Sequence, residues 1–436
     1  MSASPEAGLL ERLRAEPGGE ELLAAAPPGA FLVGGAVRDL LLDRRPRELD
    51  VVVEGEGAPL GHAAALLAAA LASRFDALAE ASEHERFGTA IVEWGAGRID
   101  IATARRERYP APGALPEVEP ASLAEDLGRR DFTVNALALA LTGEHVGDLR
   151  AAPQALEDLR AGRLRVLHER SFLDDPTRLW RLARYGARLG FVVEERTARL
   201  AAAAVAQGAP RTVSGARIGA ELRLALGEAD AVAALVALED LGLLAALHPR
   251  LRFDSRLARA ALELLSEAEG GAGPEPRPDR LLLAALLQPV AFGLREGVER
   301  DLRVLLDDME FTAGERDLVL HAAICADALA DELAHAQASS EIYEAAAHES
   351  LEGVALAGAW GEPPGIDAGV AAARWLAGLR DVRLRITGED LLAAGVPQGP
   401  EIGRRLEAAL RAKLDGEVAD TREAELAAAL ESDEVG

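Results

Sequence analysis

The sequence of 436 residues is poor in cysteine, lysine and aromatic residues, and it has no long apolar run. The single cysteine, Cys325, excludes an intramolecular disulfide framework and a zinc site built from several cysteines. Aromatic residues make up 4% of the chain, so its cores must be packed mainly from leucine, alanine and valine. No apolar run reaches the roughly 18 residues that indicate a membrane span, and residues 1–16 lack the apolar core of a signal peptide. These absences predict a cytoplasmic protein with no membrane association.

Acidic residues outnumber basic ones by 73 to 47, which gives a net charge of −26. Taken over the whole chain, this charge argues against a nucleic-acid-binding protein. Residues 160–188 differ, because they contain eight arginines and three acids, a net charge of +5. This island is compatible with a phosphate-rich ligand that is held locally, and equally with a surface helix whose arginines are solvated.

The order of β-type and helical patterns predicts the fold class. Short β-type runs alternate with helical patterns from Phe31 to about Leu141, which predicts a mixed α/β domain. From Pro176 onward the pattern is almost entirely helical. Residues 107–122 contain four prolines and predict a loop, and residues 270–278 are the clearest linker. The predicted class is therefore α+β, an N-terminal α/β head followed by an all-helical remainder.

Two glycines at a predicted strand end form the first candidate site. Gly34 and Gly35 precede a helical pattern, where glycine lets backbone N–H groups approach a phosphate and the helix N-terminus favours negative charge. Glu48 and Asp50 stand two residues apart at the next apolar run, so in a strand both carboxylates lie on one face. Two neighbouring hard oxygen ligands suit Mg²⁺. The alternative is a Gly-Gly turn followed by a polar strand edge.

Asp100 is a third acidic candidate, in the apolar-flanked run 98–102. If that run pairs beside the strand of Asp50, its carboxylate completes a cluster of three. The alternative is an acid on a strand face that is bonded to a nearby arginine.

Residues 175–188 place one acid and several arginines at helical spacing. Asp175, Arg178 and Arg181 fall at i, i+3 and i+6, and Arg184 and Arg188 continue the arginine-rich side. The Asp175 carboxylate can accept a hydrogen bond from an exocyclic amine, and Arg178 can donate one to a ring nitrogen or carbonyl. The pair therefore offers one hydrogen-bond acceptor and one donor to a ligand. The alternative is a surface ion pair that contributes a few tenths of a kcal/mol.

These segments together resemble a known family. The run from Phe31 to Glu54 resembles the nucleotidyltransferase core of the DNA polymerase β superfamily, and its wording is similar to the class II tRNA CCA-adding enzymes and the related bacterial poly(A) polymerases. Residues 129–136 match the second motif of that family, and residues 174–184 match its base-reading helix. Residues 217–221 resemble its neck motif, and residues 386–400 resemble the bacterial C-terminal tail.

The resemblance implies template-independent addition of CCA to tRNA 3′ ends from CTP and ATP, with Mg²⁺ as the cofactor and release of pyrophosphate. It implies a catalytic nucleotidyltransferase head over residues 1–142, a neck for base recognition over 143–215, and a body and tail for tRNA binding over 216–436. The expected partners are tRNA, CTP and ATP, with no obligate protein partner. The implied catalytic carboxylates are Glu48, Asp50 and Asp100, the first two as metal ligands. The implied nucleotide-binding residues are Gly34, Gly35, Arg38, Arg130, Asp131, Asp175, Arg178, Arg181 and Arg184.

Within the second motif, the residues allow two interpretations. The paired arginines can neutralise a triphosphate, and Asp131 can accept a hydrogen bond from a ribose hydroxyl. The alternative is a structural Arg–Asp pairing between the sheet and a helix.

The sequence departs from the family pattern at Glu48, where the family usually has aspartate. A misplacement on the ångström scale can cost about 100-fold in rate, so one alternative is a catalytically impaired RNA-binding relative. Others are an enzyme that adds only CC or only A, and a poly(A) polymerase. Residues 107–122 occupy the family's flexible-loop position, which favours addition of the final A. A small-molecule nucleotidyltransferase would need neither the arginine-rich helix nor the helical tail.

Overall fold

The computed structural model describes residues 8–55, 59–75, 80–84, 87–95, 97–271, 273–292, 297–360 and 366–431. The chain forms two compact units, Met1–Val213 and Ser214–Gly436. The first unit contains β-sheet and helices, and the second is built from helices in its described parts. No helix within the described ranges is long and apolar enough to cross a bilayer. The predicted α+β class, an α/β head before a helical remainder, is confirmed.

The first unit is built on a seven-stranded mixed sheet with the strand order β3-β4-β5-β2-β1-β8-β9. Two further pairs, β6 with β7 and β10 with β11, form separate two-stranded sheets. In the main sheet β1 is antiparallel to β2 and β8, whereas β2 and β5 are parallel. In chain order the strands are β1 (Ala30–Val33), β2 (Leu49–Val53), β3 (Glu80–His84), β4 (Thr89–Trp94), β5 (Gly97–Thr103), β6 (Arg105–Arg108), β7 (Glu117–Pro120), β8 (Leu137–Ala140), β9 (Leu149–Ala151), β10 (Arg163–Leu164) and β11 (Val192–Val193).

The alternation of side chains along β2 decides where its acid points. Successive residues of a strand face opposite sides, so Asp50 and Val52 share one face. On that face Val52 belongs to a buried apolar cluster that includes Val33 of β1 and Leu127 of α5 (Leu123–Gly128). Asp50 therefore lies at the end of an apolar face, where burial of a carboxylate is costly.

The helices of the first unit cover the sheet. Helix α4 packs on β4 and β5 and buries Leu67 and Leu71. Helix α5 begins with a capping box, in which Ser122 Oγ accepts from the Glu125 N–H and Glu125 accepts from the Ser122 N–H. The other helices are α1 (Leu9–Ala15), α2 (Gly19–Ala25), α3 (Gly35–Leu41), α4 (His62–Ala72), α6 (Ala155–Ala161), α7 (Ser171–Asp174), α8 (Thr177–Leu189) and α9 (Glu195–Ala206), with 3₁₀ turns at Thr133–Asn135 and Ala209–Thr212.

Residues 105–120 form a hairpin, where the proline-rich sequence predicts a loop over 107–122. Strand β6 pairs with β7, with Arg108 opposite Glu117 and Arg105 opposite Pro120. Three prolines lie in the connection, and Pro120 is the last residue of β7, where a missing N–H is tolerated. The loop prediction is therefore wrong for the paired residues and correct for the connection between them.

The second unit packs its helices around a buried central helix, α18. Its sequence, LEGVALAGA, is apolar on almost every side, and it contacts α13, α14, α16 and α19. The predicted linker over 270–278 connects α13 to α14 inside this unit. The helices are α10 (Gly215–Leu226), α11 (Ala231–Asp240), α12 (Leu243–Leu247), α13 (Ser255–Ser266), α14 (Pro278–Ala291), α15 (Val298–Asp308), α16 (Ala313–His335), α17 (Ser339–Ala346), α18 (Leu351–Ala359), α19 (Ile366–Ala377), α20 (Gly388–Ala393), α21 (Pro400–Leu414) and α22 (Arg422–Glu431), with a 3₁₀ turn at Leu379–Asp381.

The last three helices enclose a small apolar core of their own, which includes Leu391 of α20 and Ala409 of α21. A charged group is buried against this core. Glu425 of α22 is 0% exposed, and its carboxylate accepts from Lys413 Nζ at 2.6 Å and from the Arg385 N–H at 2.6 Å. The only lysine of the sequence thus pairs with a buried acid.

We expect Glu425→Ala to destabilise residues 384–431 by about 3 kcal/mol, because it leaves a lysine and a backbone N–H without their buried acceptor. Hydrogen exchange would measure the effect, as a loss of protection confined to α20–α22. Glu423→Ala is the matched control, since Glu423 is exposed on the same helix. Equal effects of the two substitutions would contradict the role given to Glu425.

Candidate active site

Three carboxylates meet at one end of the central strands. Asp50 of β2 and Asp100 of β5 are partners in parallel register, so their side chains lie side by side on one face. Glu48 directly precedes β2, and one carboxylate oxygen of each residue lies within 4.8 Å of the others. In the part of the chain that the structure describes, this is the only such group of three acids, histidines or cysteines. The structure thus brings together the three predicted catalytic carboxylates.

The environment of Asp50 disfavours its charged form. The pKa of Asp50 is raised from its ordinary value to about 7, chiefly by burial and then by Glu48 and Asp100, whereas Arg130 and Arg38 act to lower it. The cluster therefore holds more negative charge than its neighbours neutralise. Clustered carboxylate oxygens are the ligands that a hard divalent cation prefers. The residues present fit a divalent metal ion at this position.

Asp100 also has an arginine partner. Arg98 Nε and Nη2 donate to its two carboxylate oxygens at 2.7 and 3.0 Å, a bidentate pair between residues two apart on the same strand. Both interpretations of this acid therefore hold at once, because Asp100 completes the carboxylate cluster and is bonded to a nearby arginine. The bidentate geometry fixes the plane of its carboxylate.

The turn between β1 and α3 lies against the same carboxylates. Gly34 has φ +71° and ψ −132°, a combination that residues with a Cβ avoid. A Cβ on Gly34 would lie 2.7 Å from Arg130 Nη1 and 3.6 Å from Asp50 Oδ2. Gly35 is the first residue of α3, so the helix begins directly at this turn. Glycine is therefore required at position 34 both for backbone conformation and for space.

Arg38 holds the other end of this turn in place. Its side chain is 2% exposed, with Nε donating to Asp39 Oδ1 at 2.8 Å and Nη1 donating to Asn135 Oδ1 at 2.6 Å. Asp39 is also 3.3 Å from Arg188 Nη2 in α8. This network ties α3 to the second motif and to α8. Arg38 lies inside the site wall rather than on an open surface.

A buried acid orients the paired arginines of the second motif. Asp126 is 0% exposed and accepts from Arg129 Nε at 3.0 Å and from Arg130 Nη2 at 3.0 Å. Arg129 also donates to Glu107 Oε1 of the hairpin at 2.6 Å. Arg129 is thereby committed to the protein, whereas Arg130 reaches the Gly34 turn. Asp126 was not among the predicted site residues. Its position, three residues before Arg129 and four before Arg130, could have indicated this pairing.

Asp131 is held by its own motif. Its Oδ1 accepts from the Phe132 N–H at 2.8 Å and from Asn135 Nδ2 at 2.9 Å, and its Oδ2 lies 3.8 Å from Arg181 Nη1. The structural alternative, a pairing of this acid with a basic residue, is therefore present through Arg181 of α8. The second carboxylate oxygen of Asp131, Oδ2, therefore faces α8.

Asp175 and Arg178 are buried, unlike the solvated surface pair that was the alternative. They are 6% and 3% exposed. Asp175 Oδ1 accepts from Thr177 Oγ1 at 2.6 Å, and Arg178 donates to Ser171 Oγ at 2.6 Å and to the Arg129 carbonyl at 2.7 Å. The facing atoms of the pair, Arg178 Nε and Asp175 Oδ2, are 4.0 Å apart. These bonds fix one donor and one acceptor beside each other.

Two more arginines extend this helix face. The Arg181 side chain is 33% exposed, the most open of the predicted base-reading and phosphate-binding arginines of α8. Arg184 is 7% exposed and lies over the ring of Tyr185 at 4.8 Å, and Arg38 lies 5.6 Å from the same ring. Tyr185 thus packs between the basic residues of α3 and α8.

Comparisons with known proteins agree with this arrangement. Residues 30–165 match the family described as the Poly A polymerase head domain. A CCA-adding enzyme in its apo form II has 28% identity and a TM-score of 0.78, with 97% of this chain and 98% of that chain covered. The Thermotoga maritima CCA-adding enzyme complexed with tRNA has 27% identity and a TM-score of 0.74, with 97% of each chain covered. Nearly the whole chain therefore resembles CCA-adding enzymes, and its first unit contains a match to the Poly A polymerase head domain.

Curated relatives of this nucleotidyltransferase family differ in their named specificity. An A-adding tRNA nucleotidyltransferase of Geobacter sulfurreducens is 41% identical over 240 residues, which are 55% of this chain and 26% of that protein. A CC-adding tRNA nucleotidyltransferase of Deinococcus radiodurans is 42% identical over 200 residues, 45% of this chain and 50% of that protein. The chain thus spans only about a quarter to a half of the length of these relatives.

The hairpin formed by β6 and β7 contributes contacts to the candidate site that the sequence did not predict. Tyr109 donates to Glu107 Oε2 at 2.8 Å, and the Gly113 N–H donates to the Asp174 carbonyl at 3.3 Å. Burial raises the pKa of Tyr109, and Glu107 raises it further, whereas Arg178 lowers it. The hairpin therefore lies against the start of the base-reading helix. No single-residue signal in the sequence indicated this contact, because it joins segments about 60 residues apart.

Gly34→Ala is expected to lower stability by about 1–3 kcal/mol and to weaken nucleotide binding, because the added Cβ meets Arg130. Denaturant unfolding and calorimetric titration with CTP and ATP would measure the two effects. Gly143→Ala is the control, since Gly143 has φ +81° and a Cβ there meets nothing within 4 Å. If both substitutions weakened nucleotide binding equally, the role of Gly34 would be excluded.

The raised pKa of Asp50 predicts a pH-dependent stability. A carboxyl whose folded pKa of about 7 exceeds the unfolded value of 3.8 binds more protons when folded, so its contribution to stability is lost as pH rises from about 4 to about 7. Asp50→Asn should therefore raise the melting temperature of the metal-free protein by several degrees at pH 8 and by little at pH 4. Thermal unfolding in EDTA at both pH values measures this. A lower melting temperature of the variant at pH 8 would contradict the assignment.

Proposed function

We propose that this protein adds CCA to the 3′ ends of tRNA without a nucleic-acid template, using CTP and ATP and releasing pyrophosphate. The observation that carries the proposal is the placement of Glu48, Asp50 and Asp100 beside the Gly34 turn. The likeness of the chain over nearly its whole length to CCA-adding enzymes, among them structures in complex with CTP and with ATP, supports it. Processing of tRNA ends also fits the expected cytoplasmic location.

Glu48 and Asp50 are the proposed ligands of Mg²⁺, with Asp100 beside them. A divalent cation at such a site supplies charge stabilisation and lowers the pKa of a bound hydroxyl. The protein contributes the cluster itself, in which the parallel register of β2 and β5 fixes the spacing of two carboxylates. Arg98 holds the plane of the Asp100 carboxylate, so this acid keeps one orientation during the reaction.

The Gly34–Gly35 turn and Arg130 are the proposed triphosphate site. The backbone at Gly34 has no side chain between it and Arg130 Nη1, so a phosphate can approach both. Asp126 orients Arg130 from below. Arg38 supports the turn from inside, through Asp39 and Asn135. Asp131 is the proposed acceptor of a hydrogen bond from a sugar hydroxyl.

Asp175 and Arg178 are the proposed base-reading pair. Cytosine and adenine each present an exocyclic amine donor next to a ring-nitrogen acceptor. The edge formed by Asp175 Oδ2 and Arg178 Nε presents one acceptor next to one donor, which complements both bases. Arg181 and Arg184 extend the basic face toward phosphate. A site that reads this shared pattern accepts CTP and ATP and excludes GTP and UTP, whose corresponding edges carry the opposite donors and acceptors.

The proposed reaction forms one bond and breaks one. The 3′ oxygen of the RNA attacks the α-phosphorus, its proton leaves to solvent or to a carboxylate of the cluster, and the bond from the α-phosphorus to the bridging oxygen of the β-phosphate breaks. Pyrophosphate departs with the electron pair. In-line attack needs the two reactants held in a fixed geometry, which alone can supply about 7–11 kcal/mol of the barrier.

An A-adding enzyme is the second candidate, because three relatives with that name are 37–43% identical to this chain. A CC-adding relative is 42% identical. Identity therefore favours neither partial activity decisively, whereas likeness over the whole chain favours the full reaction. The contact of the hairpin with Asp174 is compatible with addition of the final A.

The test uses purified protein, Mg²⁺ and labelled tRNA transcripts that end before CCA, after CC and after CCA, with CTP and ATP supplied singly and together. Addition of three nucleotides followed by arrest supports the proposal. Incorporation of A alone onto the CC transcript would assign the A-adding activity instead. Long A tails on unrelated RNA would assign a poly(A) polymerase.

Asp50→Ala should abolish incorporation by at least about 100-fold while tRNA binding is retained, and Glu48→Asp should retain or raise it. Glu144→Ala, at an exposed acid in the connection between β8 and β9, is the control for a general loss of charge. Wild-type protein that binds tRNA without incorporating any nucleotide, together with an active Glu48→Asp variant, would identify Glu48 as the cause of impaired catalysis.

A further inference from the structure

The second unit is strongly acidic, which restricts where it can contact nucleic acid. Residues 214–436 contain 21 basic and 41 acidic residues, a net charge of −20. Phosphates are repelled by most of such a surface and attracted only where a cation is not neutralised. Residues 249–262 are one such place in the sequence, with four arginines and one aspartate, a net charge of +3.

Two arginines of this stretch donate to neutral groups, whereas Arg259 lies 3.9 Å from the carboxylate of Asp230. Arg250 Nη2 donates to the Phe292 carbonyl at 3.1 Å, and Arg252 Nη1 donates to the Pro249 carbonyl at 3.1 Å. Neither has a carboxylate partner among the described residues. Elsewhere in the unit Arg303 pairs with Glu299 and Asp317. Arg250 and Arg252 therefore keep their full positive charge at the surface, whereas that of Arg303 is neutralised.

An exposed aromatic ring lies at the same place. Phe292 is 51% exposed, although it follows directly after the buried helix α14. Its ring centroid lies 5.5 Å from that of Trp360, whose Nε1 donates to Asp327 Oδ1 at 3.0 Å. Because Arg250 bonds the Phe292 carbonyl, the cation and the ring are held together. Trp360 supports Phe292 from the side and leaves part of its ring open.

We propose that Arg250, Arg252 and Phe292, here called the Phe292 surface, bind a looped single-stranded segment of RNA. The two guanidinium groups contact backbone phosphates, and an unpaired base stacks on the Phe292 ring. Cations next to an exposed aromatic ring are the usual means of holding unstacked bases, since each base has a face for stacking. This inference rests on the proposed function, in which the RNA is tRNA and the segment is one of its loops.

A base-paired stem fits this surface less well. Bases inside a duplex are stacked on each other and cannot reach Phe292, so a duplex would use only the arginines. A second copy of this chain is also disfavoured, because its net charge of −26 opposes association and the exposed apolar area is a single ring.

The experiment measures the affinity of the full-length protein for a tRNA transcript ending before CCA and for a blunt RNA duplex of similar length, over a range of salt. Phe292→Ala and Phe292→Leu remove the aromatic face, and the second keeps an apolar side chain. Arg252→Ala removes one cation, and Arg303→Ala is its matched control. Arg250 is left unchanged because it also binds the carbonyls at the end of α14.

We expect both Phe292 variants to weaken tRNA binding about tenfold and to leave duplex binding unchanged. Arg252→Ala should weaken binding of both RNAs and reduce the slope of log affinity against log salt by about 0.7–0.9. Arg303→Ala should do neither. Thermal unfolding should match the wild type for all variants, and Arg303→Ala should also extend tRNA as the wild type does.

Unchanged tRNA affinity in the Phe292 variants would overturn the inference while the proposed function stands, provided that the wild type binds and extends tRNA. A wild-type protein that neither binds nor extends tRNA would overturn both the inference and the proposed function. Concentration-dependent dimerisation that is lost in Phe292→Ala, with tRNA affinity unchanged, would assign the surface to self-association and also overturn the inference.

Discussion

Burial of one carboxylate, Asp50, beside two others is the constraint on which the first unit depends. Asp50 lies at the end of an apolar face, next to two other acids, and its pKa of about 7 expresses the cost of charging it there. A fold selected for stability alone would place an apolar residue at this register position, as it does at Val52. The surrounding elements reduce the cost without removing it, because Arg130 reaches the cluster only past a residue without a side chain, Gly34. The site therefore carries negative charge that its neighbours do not neutralise. A divalent ion would neutralise it.

A chain of hydrogen bonds connects Arg130, which lies beside this cluster, to helix α8. Asp126 orients both Arg129 and Arg130. The Arg129 side chain also donates a hydrogen bond to Glu107 of the hairpin. The backbone carbonyl of Arg129 accepts a hydrogen bond from Arg178. Each of these groups is buried or half-buried, where bonds to charged groups are worth about 1.5–3 kcal/mol. The residues proposed to bind phosphate and those proposed to read the base are therefore positioned by the same structural element. A change at the hairpin is transmitted to both without touching either ligand.

Much of this arrangement could be predicted from the sequence, because its signals are local. A glycine pair at a strand end, two acids at i and i+2, and an acid and arginine at i and i+3 each define a geometry within one element. The sequence allowed Asp100 to complete the cluster only if its strand paired beside that of Asp50, and this pairing depends on the order β4-β5-β2. It did not indicate that the proline-rich segment would pair as β6 and β7. Asp126 and Tyr109 were missed for the same reason. Their partners lie on other elements, and only tertiary structure brings them together.

The distribution of charge is compatible with an acidic chain that acts on the proposed polyanionic substrate. Of the arginines in the predicted base-reading helix, most are buried against acids or rings, and Arg181 is the most open. Basic charge is thus concentrated at the residues that are proposed to bind a ligand, while the remaining acidic surface repels RNA. Such a protein gains little from long-range attraction, so its affinity for RNA must come from few contacts of good geometry. Repulsion elsewhere weakens every other mode of RNA binding and leaves the productive one favoured, which is a form of specificity that a uniformly basic surface lacks.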